Sequence, residues 1–161
     1  MYEDQRYVDM LLEILNKQID TLHEALGITK EQEIIANTKE FDSESFDETL
    51  SRKDVCIARL NELDNGFVSV YDRVGKIIKS NPDKYKEQIL TMQELIRRCT
   101  DIGNEIQTLE ARNKDKLAAC FAGKKQEYNA KQTAATVAGK YNTIMKNVNS
   151  AGMGVRFFQD K

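Results

Sequence analysis

Few residues in this chain are of types, or at spacings, that do chemistry. The one histidine, His23, is followed by Glu24 but lacks the second histidine four residues on that would complete a helical zinc site. It therefore reads as a half-exposed helix residue. Cys56, Cys99 and Cys120 are odd in number, widely spaced and placed on or beside helical apolar stripes, which fits reduced core thiols better than a disulfide or a metal-ligand set. No G-x-x-x-x-G-K-[ST] loop is present to cradle phosphate, and no G-x-S-x-G elbow presents a nucleophile. Carboxylate pairs such as Asp47 with Glu48, or Glu31 with Glu33, fall in exposed helical turns, where nothing would raise a pKa toward that of a working acid. Hydrolytic, redox and phosphoryl-transfer activities are unsupported. The expectation is a non-enzymatic protein with no cofactor and no metal site.

Composition narrows the class further. The chain has 161 residues, 31% of them charged and 40% hydrophobic, which suits one soluble domain. A single proline, no tryptophan and abundant Leu, Ile, Glu and Lys favour helices, because straight-chain residues lose little rotamer freedom in them. The opening MYEDQRYVDM carries acidic residues where a secretory signal would be basic, and no apolar run approaches the roughly 20 residues of a membrane span. A cytoplasmic protein is expected.

Charge is unevenly distributed. Residues 1–111 hold 14 Lys and Arg against 23 Asp and Glu, whereas residues 112–161 hold 10 against 3. The split suggests an interaction surface, or else a solvated helix face. Lys124, Lys125, Lys131, Lys140 and Lys146 lie near Tyr128 and Tyr141, a pattern open to nucleic-acid binding; the scarcity of arginine there and the acidity of the whole chain argue against it.

The elements that would position these residues are helices. Val8, Leu12, Leu15, Ile19, Leu22 and Leu26 alternate steps of four and three, forming a seam in a helix from about residue 3 to 38. Gly27 interrupts it, and Thr29 followed by Gln32 resembles a capping box, so this helix either kinks or restarts there. After the turn NTKEFD, Asp42, Ser43 and Ser45 are all candidate caps. A longer seam follows: Phe46, Leu50, Lys53, Ile57, Leu60, Asp64, Phe67, Tyr71, Val74, Ile78, with Leu63, Val70 and Ile77 alongside. Lys53 is expected to snorkel along its aliphatic stem, and Asp64 to pair across helices or sit at a wetter layer; either would fix register at some loss of stability. In KSNPDKY, Asn81 is read as a cap and Pro82 as the first residue of a third helix. Its seam is Tyr85, Ile89, Met92, Ile96, Cys99, Gly103, Ile106, continued by Asn113 and Leu117, with Leu95, Ile102 and Leu109 beside it.

Short turns force three such helices to run up, down and up, an elongated antiparallel all-α bundle. At 1.5 Å per residue the first two span about 55 Å, so a third starting at Pro82 runs out of intramolecular partners near Leu117. Beyond it lie Phe121, Tyr128, Ala134, Val137, Tyr141, Ile144, Met145 and Val148, the candidate partner-binding residues. Three placements stay open for residues 118–148: a fold-back fourth helix, a protruding partner-binding helix, or a homodimer contact. The bundle domain is expected over residues 1–148, with 149–161 a flexible tail.

The stretch ALGITKEQEIIANTKEFDSESFDETLSRKDVCIARLNELD, residues 25–64, resembles the first helical hairpin of the FlgN-type flagellar export chaperones. The likeness rests on Gln32, Ile34 and Ile35 near the end of the first helix and on Leu50, Lys53, Ile57 and Leu60 in the second. It continues through LEARNKDKL, residues 109–117, and the Phe-Phe-x-Asp-Lys ending. The FliT-type filament-cap chaperones share the same grammar. The resemblance implies a small cytosolic helical protein that binds the C-terminal helices of hook-filament junction subunits (FlgK- and FlgL-like), prevents their premature assembly and delivers them to an export gate component. It also implies that the substrate-binding portion lies toward the C-terminus. The richness of small residues from Ala130 to Gly139 favours a segment that orders upon binding. A self-associating coiled-coil protein without a client is the alternative.

Overall fold

The computed structural model describes residues 2–121, which form three long α-helices: α1 (Tyr2–Asn37), α2 (Ser43–Ser80) and α3 (Lys86–Phe121). No strand occurs among the described residues, and none of their helices is long and apolar enough to cross a membrane. The architecture is the expected up-down-up bundle, and at 1.5 Å per residue each helix is about 55 Å long.

Packing follows the heptad seams. In α1 the seam residues Val8, Leu15, Ile19, Leu22 and Leu26 are buried and Leu12 is half-buried; Leu11 and Ala25 are buried beside them. The buried face is wider than this seam, running from Ile19 and Leu26 at one edge to Thr21 and Ile28 at the other. This makes α1 the central helix, against which α2 and α3 each lie closely. In α2 the seam from Phe46 to Ile78 is buried apart from half-buried Tyr71, and Val70 and Ile77 of the second stripe are buried as well. Buried Tyr85 precedes α3, in which Ile89, Met92, Cys99, Gly103 and Ile106 are buried, with Leu95, Ile102 and Leu109 alongside and Leu117 closing the run. Cys56 and Cys99 are buried free thiols. Burial pushes the Cys99 thiol up to about 12, which keeps it protonated and unreactive.

Local punctuation differs from the sequence expectation in three places. Gly27 neither breaks nor restarts α1, which runs helical across it. Thr29 and Gln32 do not form a capping box: the Thr29 hydroxyl donates back to the Ala25 carbonyl at 2.8 Å, and Gln32 turns into the core. Tertiary burial of these two polar residues overrides their capping chemistry. Asn81 caps the end of α2 rather than the start of α3, its backbone N–H reaching the Ile77 and Ile78 carbonyls at 3.2 Å. Residues 82–85 then form a turn, and the first bond of α3 runs from the Ile89 N–H to the Tyr85 carbonyl at 2.8 Å. Helix α3 therefore starts at Lys86, four residues later than Pro82 suggests, because Tyr85 is drawn wholly into the core at the foot of the bundle.

Among the candidate caps for α2, Asp42 takes the role, accepting from the Ser45 N–H at 3.1 Å and the Ser45 hydroxyl at 2.6 Å. These bonds hold its carboxyl below the usual aspartate range.

A methyl group added at Gly27 meets nothing within 4 Å, and the position is exposed mid-helix. Gly27→Ala should raise unfolding stability by about 0.5–1 kcal/mol, read from chemical denaturation, because alanine loses less backbone entropy in a helix.

Candidate partner-binding end of the bundle

The C-terminal turns of α1 and α3 and the N-terminal turns of α2 meet at one end of the bundle. Here α3 keeps step with α1: Glu105 faces Lys30 at 4.0 Å, Arg112 faces Glu33 at 3.9 Å, and the Lys116 ammonium donates to the Asn37 side-chain carbonyl at the last residue of α1. Leu117 is buried, whereas Ala118 and Ala119 are exposed. Leu117 is thus the last buried residue among the described side chains of α3, and it lies level with the end of α1 at Asn37. Phe121 is the last residue of α3; its side chain, together with Tyr128, Ala134, Val137, Tyr141, Ile144, Met145 and Val148, lies outside what is described. The same holds for the fold-back helix and for a domain boundary at residue 148.

Immediately inside this end sits a polar layer that joins all three helices. Lys53 of α2 and Glu110 of α3 form an ion pair, and both side chains are 0% exposed. The Lys53 ammonium also donates to the side-chain Oε1 of Gln32 in α1 at 2.7 Å. The Gln32 amide in turn donates to the Thr49 hydroxyl at 3.1 Å, and Thr49 donates to the Phe46 carbonyl. From α3, the Asn113 amide donates to the Thr29 carbonyl at 3.2 Å. Each helix supplies its members from seam positions or the flank beside them, so the layer faces inward by the same periodicity that builds the apolar core.

Lys53 therefore does not snorkel to water as its long stem suggested. A carboxylate within the core gives it a nearer partner. Burial pushes its pKa down, to about 7 from 10.5, with a smaller opposing contribution from Cys56. The adjoining Glu110 carboxylate favours the ammonium form. Its Oε2 has no hydrogen-bond partner among the described residues, so the layer holds the lysine better than it holds the glutamate.

Sequence reading singled out Lys53 and placed Asn113 on the seam, but missed Glu110, Gln32 and Thr49 as a group. One signal was available: Glu110 lies four residues beyond Ile106 on the α3 seam, and an acidic seam residue calls for a basic one on a neighbouring helix.

Asp64 is buried near the middle of α2, and its Oδ1 has no hydrogen-bond partner among the described residues. No cross-helix ion pair reaches it among the described residues, and it keeps 8% of its surface exposed. Burial raises its pKa. His23 is exposed on α1, and no group of three or more metal-ligating side chains gathers among the described residues.

The outer surface offers little for another helix to grip. Its large exposed apolar side chains among the described residues are Tyr2, Met10, Ile34, Val55, Val68 and Leu90, spread over three helices rather than aligned in a stripe.

No family model matches the chain, and no curated protein or solved structure matches it either.

Two stability measurements follow. Lys53→Met should lower unfolding free energy by about 3–5 kcal/mol, since it strands a buried carboxylate, whereas Lys53→Met with Glu110→Leu should unfold within about 1 kcal/mol of the parent or at higher denaturant. Asp64→Asn should stabilise by about 1 kcal/mol at pH 7. The raised pKa means the native carboxyl binds its proton more tightly than the unfolded one, so stability falls as pH rises above about 3.9. The advantage of the asparagine variant should accordingly vanish near pH 3, which paired denaturation curves at the two pH values will show.

Proposed function

We propose that this protein is a cytoplasmic, non-enzymatic chaperone of flagellar type III export. In this reading its basic C-terminal segment pairs with the C-terminal amphipathic helix of a hook-filament junction subunit, keeps that subunit from assembling early and carries it to the export gate. The observation that carries the reading is geometric. The seams of α1, α2 and α3 are buried as far as Leu117, and α1 ends at Asn37, level with Lys116. A stripe formed by Val137, Tyr141, Ile144 and Val148 has no matching apolar stripe on the described surface to lie against. A separate polypeptide with an apolar helix face supplies one.

The chemistry of such a contact is ordinary helix-on-helix burial, worth about 25 cal/mol per Å² of apolar area before ordering is subtracted. Its dependence on salt would be slight, unlike the steep dependence of phosphate binding.

Calorimetric titration of the full chain with the C-terminal helix of a hook-filament junction subunit should give a Kd in the micromolar to nanomolar range (about −8 to −12 kcal/mol). A chain ending at Leu117 should give no heat of binding while keeping the helical circular dichroism of the bundle. Undiminished binding by the shortened chain excludes the segment as the site. Sedimentation of the full chain alone as a dimer, reverting to a monomer on the same truncation, would instead make the stripe a self-association seam.

A further inference from the structure

We propose that the buried layer of Lys53, Glu110 and Gln32 is a register lock: it fixes how far α3 is slid along α1 and α2, and so sets the point at which the chain leaves the bundle. The inference concerns the bundle alone and is independent of what the C-terminal segment binds.

Heptad packing leaves axial register underdetermined. Sliding α3 by seven residues, about 10 Å, returns every seam position to the seam. Most substitutions that result are apolar for apolar: Ile89 exchanges with Ile96, Met92 with Cys99, Cys99 with Ile106. Apolar burial therefore discriminates weakly between the observed register and its neighbours. The exposed pairs along α3, such as Glu105 with Lys30 and Arg112 with Glu33, are long and solvated, and pairs of that kind discriminate weakly too.

The polar layer behaves differently under the same slide. Shifting one way brings Gly103 to the level of Glu110, and shifting the other way brings Leu117 there. In both cases Lys53, which is fully buried beside Gln32, loses its carboxylate. Asn113 likewise leaves the Thr29 carbonyl that it reaches only in the observed alignment. An ammonium stranded in the core is strongly disfavoured, so the wrong registers are excluded by what they leave unpaired rather than by apolar contacts they lack. A one-heptad slip would move the exit of the chain by about 10 Å along the bundle and either expose or bury the last turns of α3.

The pair is better suited to this than to adding stability. Replacing a buried ion pair with apolar residues is often neutral for the observed fold, while removing the penalty on the alternatives.

The test uses nitroxide labels on keto side chains introduced at the exposed positions of Asp9 in α1 and Thr108 in α3, which leaves the native cysteines untouched, and reads the label separation by pulsed electron resonance in the full chain. The parent should give one narrow distance. Lys53→Met with Glu110→Leu should give a second population displaced by about 10 Å, and the reversed pair, Lys53→Glu with Glu110→Lys, should return a single distance. A folded apolar variant that keeps the single parental distance overturns the proposal. So does a reversed pair that still samples two distances. An apolar variant that fails to fold while the reversed pair folds also overturns it, because the pair would then be a source of stability rather than of register.

Discussion

The structure depends on burying both flanks of one helix. Helix α1 buries a face much wider than its seam, from Ile19 and Leu26 round to Thr21 and Ile28, so a single partner would leave one edge in water. Two antiparallel returns of the chain cover the two flanks. The turns are short, so α2 and α3 return close beside α1 and are nearly as long as it. From that constraint follow the elongated shape and the placement of α1 between its neighbours.

Apolar seams supply the driving force but specify alignment poorly, and the polar layer at the far end complements them. Lys53, Gln32 and Glu110 come from three different helices, so each alignment of the bundle has to satisfy all of them together. Asp64 shows the contrast. It lies on the same α2 seam with its Oδ1 unpaired, and it disfavours burial without selecting a partner. Two charged residues on one seam thus have different consequences, decided by whether a neighbouring helix offers a complementary group.

Much of this was legible in the residue pattern. The three seams and the second stripe on α2 follow from steps of three and four, because periodicity survives into packing unchanged. Boundaries were less legible. Asn81 and Pro82 look like the start of a helix, yet Asn81 ends α2, since the choice depended on the burial of Tyr85 several residues away. Thr29 and Gln32 look like a cap, yet both face the core. The Lys53 and Glu110 pair was beyond local pattern altogether, because 57 positions of chain separate its members and only the bundle topology brings them together. As for the candidate partner-binding residues from Phe121 to Val148, their types and spacing remain the whole of the argument for them.

Native-state hydrogen exchange of the full chain reads whether the polar layer, by joining all three helices, closes the end from which α3 leaves as firmly as the apolar middle. The amides of Gln32, Lys53 and Glu110 should exchange only through global unfolding, with the same denaturant dependence as those of Leu15, Leu60 and Met92. Exchange of the first three by local opening, orders of magnitude faster than the second three and insensitive to denaturant, would contradict it.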